Sequence, residues 1–292
     1  LANRVKRALP QTLIVAGGPH ATALPQDVLI RSAAEVVVVG EGEVTLTELV
    51  RLYQEHGAWH PDDLSRVNGV AFRCGDEVIQ TKPRAYIADL DTIPFPARDL
   101  LPFADYRGYY FRQRTPEYPM VFTRGCPFEC TFCAEAVWKQ TKPVGAFRWR
   151  SAANVVDEME ELHREYGINE IQDVSDEFNA HPRNGLAICR EKMRRGLDLP
   201  WKTLIRCHPL PAELVEAMAS SGCWQVSIGI ESGNQATIDG VKKGYRLGQL
   251  EECLRLLKGY DVKVQGLFML FNVWEEAGVL QYESVTLSRR TV

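Results

Sequence analysis

From Pro119 onward, short apolar runs alternate with helix-like stretches, and this alternation limits the possible folds more than any other feature of the chain. Runs suited to strands fall at 119–123, 168–174, 202–207, 224–230 and 262–270. Helix-like stretches lie near 151–166, 183–195, 211–221 and 247–258. Ser151 is placed to cap the first of these helices, and Pro211 stands at the start of the third. Repeats of this kind predict a parallel, barrel-like sheet with its chemistry at the C-terminal ends of the strands.

The preceding segment has a similar rhythm. TLIVA (12–16) reads as a buried strand ended by Gly17-Gly18-Pro19, followed by a helix near 22–32. AEVVVVG (34–40) is a second β-branched run ended by glycine. Residues 43–56 then read as an amphipathic helix with Leu46, Leu49, Val50 and Tyr53 on one face. Fully apolar strands predict a parallel sheet covered on both sides. Between 61 and 118 the rhythm breaks: 69–81 reads as a hairpin turning at Gly75-Asp76, and the three prolines within 89–103 exclude a regular element. We expect an amino-terminal domain at 1–60, a connector at 61–118 and the barrel at 119–292.

Just after the first barrel strand the chain reads RGCPFECTFCA, which places Cys126, Cys130 and Cys133 within eight residues. Three thiolates without a fourth cysteine nearby suit a four-iron cluster with one iron left open, whereas a cluster used only for electron transfer normally has four. An open coordination position is what metal catalysis requires. Other readings are a zinc site, a redox pair at Cys130 and Cys133, or buried free thiols. Zinc wants a fourth ligand, and a redox pair leaves Cys126 without a role. The other cysteines (Cys74, Cys189, Cys207, Cys223 and Cys253) are scattered, reading as buried free thiols in a reducing, cytoplasmic compartment. With 45% hydrophobic residues and a net charge of −4, the chain has material for a large core and no basic block for nucleic acid. No apolar run is long enough for a membrane span.

CPFECTFC has the Cys-x-x-x-Cys-x-aromatic-Cys form of the radical S-adenosylmethionine (SAM) superfamily, and the chain resembles its B12-binding-domain branch. The resemblance implies a [4Fe-4S] cluster on Cys126, Cys130 and Cys133. In that family SAM chelates the open iron and is cleaved reductively to start radical chemistry. It also implies SAM contacts from Phe132, from Asp176 and Glu177 after the second strand, from Arg206 at the end of the third, and from Glu231, Ser232 and Gly233. These last three belong to QVSIGIESG (225–233), which matches the family's GIESG stretch in full. Taken alone, the acidic pair reads as solvated charge and Arg206 equally as a salt-bridge partner. Lys242 and Lys243 read as surface charge. The family's Gly-x-Pro-Gly-Glu turn is replaced by Phe271-Asn272-Val273-Trp274-Glu275, which puts any role for Glu275 in doubt.

AGGPHAT (16–22) and VVVVGEGE (36–43) resemble the glycine turns of a Rossmann-like cobalamin domain. Gly17, Gly18, Gly40 and Gly42 would let backbone pass close to the cofactor's nucleotide tail. His20 is set aside as a cobalt ligand, because the family's Asp-x-His-x-x-Gly segment is not in this chain. The expected fold class is therefore α/β: the C-terminal part of a Rossmann-like cobalamin-binding domain, then a partial (β/α)6 barrel. Both ends read as cut, the chain starting at Leu1 and stopping at Val292 in helix-like stretches. The implied function is cobalamin-dependent methylation of an unactivated carbon in a small molecule, with a reductant such as flavodoxin or ferredoxin. The alternatives are a cobalamin-dependent cyclisation or rearrangement, as in anaerobic tetrapyrrole cyclisation, and a non-catalytic iron–sulfur electron carrier.

Overall fold

In the computed structural model, which describes residues 1–102, 111–141 and 147–283, the chain divides into two units. The helix-like stretch expected at its end lies outside the described residues. One unit is Leu1–Ala88 with Ala134–Ala146; the other is Asp89–Cys133 with Phe147–Val292.

In the first unit, β1 (Val15–Ala16) and β2 (Val36–Val38) pair in parallel. Next, β3 (Val70–Cys74) runs antiparallel to β2, and β4 (Glu77–Gln80) completes the hairpin. The sheet is thus mixed, not parallel throughout, and the hairpin assigned to a connector is part of it. Val70, Ala71 and Phe72 bury against the β2 side, which drives that pairing.

The helices of this unit are α1 (Ala2–Ala8), α2 (Pro19–Ala23), α3 (Pro25–Arg31), α4 (Glu43–His56), α5 (Pro61–Leu64) and α6 (Glu135–Thr141). The single helix expected at 22–32 is split at Leu24, because Pro25 has no N–H to continue it and instead opens α3. The face expected on α4 is also corrected. Thr45, Leu49 and half-buried Leu52 point inward, Leu49 and Leu52 joining the Val36, Val38 and Phe72 cluster, while Leu46, Val50 and Tyr53 are exposed. Trp59 fixes this rotation, donating from Nε1 to the Leu49 carbonyl at 2.8 Å and lying edge-on to Tyr53.

The second unit opens with the proline-rich segment, whose regular pieces among the described residues are 3-10 turns at Leu90–Thr92 and Arg98–Leu100. Strands β5 (Glu117–Met120), β6 (Thr123–Arg124), β7 (Arg148–Trp149), β8 (Glu170–Asp173), β9 (Trp201–Ile205), β10 (Cys223–Glu231) and β11 (Lys263–Phe268) follow. Five of them form one parallel sheet in the order β11-β10-β9-β8-β5, the strands predicted from the apolar runs. Helices α7 (Ala152–Tyr166), α8 (Pro182–Arg194), α9 (Ala212–Ser220), α10 (Gln235–Gly240) and α11 (Leu247–Gly259) connect them. Ser151 caps α7 as expected, its hydroxyl accepting the Asn154 N–H at 3.1 Å.

Phe122, Phe178 and Trp201 anchor the core with ring centroids 5.2–6.3 Å apart. Each is fully buried, and each lies within five residues of a candidate site residue. A final hairpin, β12 (Val273–Glu276) and β13 (Val279–Tyr282), stands where the family turn was sought, and Glu275 is exposed on it. Of the scattered cysteines, Cys189, Cys207, Cys223 and Cys253 are buried, but Cys74 is exposed beside the Gly75 turn. No helix among the described residues is long and apolar enough to cross a membrane.

Candidate functional site

Four strand exits of the second unit supply the candidate residues. The loop after β6 carries Cys126, Cys130 and Cys133, and its backbone is held by neighbouring elements. The Asp176 carboxylate, past β8, accepts the Gly125 N–H at 2.9 Å. The Ser175 hydroxyl accepts the Phe122 and Thr123 N–H groups at 2.7 and 2.9 Å. On the other side, the Thr131 N–H donates to the Val241 carbonyl at 3.1 Å.

Behind Ser175 lies Asp173, fully buried. It accepts hydrogen bonds from the Ser175 hydroxyl and, at 2.6 Å, from the Thr203 hydroxyl. Burial raises its carboxyl to about 6, against the pull of these bonds. Glu177 is also buried and accepts the Arg206 backbone N–H at 2.9 Å. Burial lifts it to about 8 despite nearby Arg206 and Lys243. Asp176 and Glu177 thus hold backbone, a role the sequence did not suggest. Asn179, which sequence reasoning missed, accepts the same Arg206 N–H and donates to the Arg206 and Pro209 carbonyls. Only its position next to the acidic pair hinted at it.

Arg206 follows β9 immediately. Its guanidinium carbon lies 3.7 Å from the Phe128 ring centroid, and Nη1 is 3.5 Å from the Cys130 sulfur. At the end of β10, Glu231 adopts φ +62°, a left-handed conformation uncommon for a residue with a side chain. Its carboxylate pairs with Lys243 at 2.6 Å. Lys243 is therefore not surface charge: it is buried, with its ammonium 5.7 Å from the Phe132 ring. Lys242, by contrast, is exposed as expected. A Cβ on Gly229 would lie 2.5 Å from both partners of the Glu231–Lys243 pair, so this glycine makes room for it. The Ser232 hydroxyl donates to Glu283 at 2.5 Å, and Gly233 follows it in the same turn. Glu283, also missed from sequence, is buried and accepts from Asn272 at 3.1 Å.

The donor set fits an iron–sulfur cluster. Three soft thiolates on one short loop suit iron–sulfur chemistry. Burial pushes the Cys126 thiol up to about 12, and a bound metal would favour its thiolate form. Arg206 Nε and Nη2 are buried without a partner, leaving cationic donors beside that loop. Among the described residues, no three His, Cys, Asp or Glu side chains are grouped to hold a single metal ion. A cluster instead takes one thiolate on each of three irons. Against the sheet, a cavity of about 320 Å³ is lined by Gln172, Ser175, Lys202, Gln225, Ser227 and Gln265, among others.

In the first unit, Gly17, Gly18, Gly40 and Gly42 lie just past the ends of the paired strands β1 and β2. Gly18 and Gly40 have φ near +90°, where glycine is required. Gly17 and Gly42 would accept a methyl group at ordinary contact distance from Val38. His20 is exposed on α2.

This arrangement, a three-cysteine loop at the exits of a parallel sheet, is accompanied by a match of residues 120–279 to the radical SAM superfamily, to which the chain belongs. Over 273 residues it is 30% identical to an uncharacterized methyltransferase of Pyrococcus horikoshii, covering 92% of this chain and 56% of the relative. It is also 30% identical to the anaerobic magnesium-protoporphyrin IX monomethyl ester cyclase of Cereibacter sphaeroides, covering 90% and 42%. The chain thus spans about half the length of these relatives. Its fold matches the radical SAM methyltransferase TsrM from Kitasatospora setae, solved with cobalamin and a [4Fe-4S] cluster. That match has a TM-score of 0.70 at 20% identity, over 90% of this chain and 50% of that one.

Proposed function

We propose that the chain forms the catalytic part of a cobalamin-dependent radical SAM enzyme that methylates an unactivated carbon of a small molecule. The observation that carries this reading is the convergence of Asp176, Arg206 and the Glu231–Lys243 pair around the cysteine loop. Cys126, Cys130 and Cys133 would hold the cluster, and Gly17, Gly18, Gly40 and Gly42 would face cobalamin. When bound, these cofactors supply reductive cleavage of SAM and a carrier for the methyl group.

Arg206 and Lys243 would draw in the anionic end of SAM, and Glu231 would accept hydrogen bonds from its hydroxyls or ammonium. Asp176 and Ser175 keep the loop's backbone in place. Phe132, beside Cys133 and exposed, would offer SAM an apolar surface next to the Lys243 ammonium. Gln172, Gln225 and Gln265 give the cavity a hydrogen-bonding lining suited to a polar substrate. An electron donor such as flavodoxin or ferredoxin would serve the cluster, and a reducing cytoplasm suits the free thiols. Support for methyl transfer comes from the named activities of the Pyrococcus relative and of TsrM. The Cereibacter cyclase, at the same identity, favours cyclisation as the second reading.

The test is anaerobic reconstitution with iron and sulfide, then SAM and dithionite. Formation of 5′-deoxyadenosine or S-adenosylhomocysteine is expected; a reducible cluster that leaves SAM intact would mean an electron carrier. Cys126→Ala, Cys130→Ala and Cys133→Ala should each sharply lower iron and sulfide content, while Cys189→Ala, in the buried core, should not.

A further inference from the structure

A buried guanidinium is costly unless a negative group offsets its lost hydration, because arginine stays charged at any physiological pH. Arg206 is 4% exposed, yet among the described residues no carboxylate reaches its guanidinium. Glu177 feels the Arg206 charge, but its carboxylate accepts the Arg206 backbone N–H. Among the described residues, the acceptor for the guanidinium is the Cys130 sulfur, 3.5 Å from Nη1. Two features fix that aim. Glu177 and Asn179 both hold the Arg206 backbone N–H at 2.9 Å, and the guanidinium lies over Phe128, two residues before Cys130. The chain has set a permanent cation against one sulfur of the cysteine loop.

We propose that Arg206 sets the reduction potential of the cluster by donating a hydrogen bond to the Cys130 thiolate. This rests on the cluster assignment made above. Hydrogen bonds to cluster sulfurs and nearby charge are principal controls of such potentials. A reduced cluster carries one more negative charge than an oxidised one, so the adjacent cation favours it and raises the midpoint. The bond is charge-assisted, stronger than one between neutral groups. Arg206 is here a positioning and tuning residue, distinct from the ligands themselves.

The experiment compares wild type, Arg206→Met, Arg206→Lys and Phe128→Leu after anaerobic reconstitution. Iron and sulfide are quantified, and the midpoint is read by potentiometric titration followed by EPR, without SAM. Arg206→Met removes cation and donor and is expected to shift the midpoint to lower potential at unchanged iron content. Arg206→Lys keeps the charge and should fall between. Phe128→Leu releases the guanidinium from its ring and should give a smaller shift in the same direction. An unchanged or higher midpoint in Arg206→Met overturns the proposal. If that variant takes up no iron, unchanged midpoints in the other two overturn it. Loss of iron from all three variants also overturns it, in favour of a role in assembly. Failure of wild type to take up iron would instead refute the cluster assignment.

Discussion

A methyl group on Gly229 would meet the Glu231 carboxylate and the Lys243 ammonium at 2.5 Å each. Gly229→Ala should therefore displace the tips of a buried ion pair, costing up to about 1 kcal/mol in urea denaturation. Gly248, on the exposed side of α11, has nothing within 4 Å of such a methyl, so Gly248→Ala should stabilise by up to about 1 kcal/mol in the same measurement. The contrast separates a glycine kept for space from one that is merely tolerated. Lys243 shows why the sequence was misleading here. A Lys-Lys doublet looks like solvated charge, and its burial depends on a partner twelve residues earlier whose left-handed backbone no composition reveals. The cysteines were legible because their spacing is local. Glu283 and Asn179 were not, because their meaning lies in hydrogen bonds to other segments.

Strand and helix positions in the second unit followed from local signals: apolar runs for β8 to β11, and a serine cap for α7. The exits of those strands depend on cross-strand bonds, and Asp173 is the clearest case. Its carboxyl is raised from 3.8 to about 6 by burial. The folded state thus holds a proton that the unfolded chain has lost between those values. The stabilisation is full below pH about 4 and is lost as pH rises through about 6. Urea denaturation between pH 4 and 7 should show wild type losing on the order of 2–3 kcal/mol relative to Asp173→Asn across that window. Equal pH slopes for the two proteins would contradict the assignment. The proline-rich segment makes a different element-scale demand. Buried Arg98 pairs with Glu158 on α7, and Arg150 reaches the same carboxylate. Glu158→Leu should cost about 3–5 kcal/mol, because it strands two cations.

At the scale of the whole molecule, the two units carry separate proposals: glycine turns for cobalamin in one, thiolates for iron in the other. Cys126→Ala should sharply lower iron content yet leave retention of aquacobalamin on gel filtration within about twofold of wild type, if each unit folds on its own core. Gly18→Val and Gly40→Val should show the reverse, since both demand φ near +90°. The cysteine loop is tied to β8 through Asp176 and Ser175, and to the segment after α10 through the Val241 carbonyl. These bonds to the strand exits of the parallel sheet are expected to hold its shape without the metal. Under the cluster assignment proposed above, iron would then meet a loop already held in place, unlike small zinc modules that collapse without their ion. Stripping the reconstituted protein with a chelator should bleach its colour while the melting temperature falls by only a few degrees, and adding iron and sulfide back should restore the spectrum without refolding.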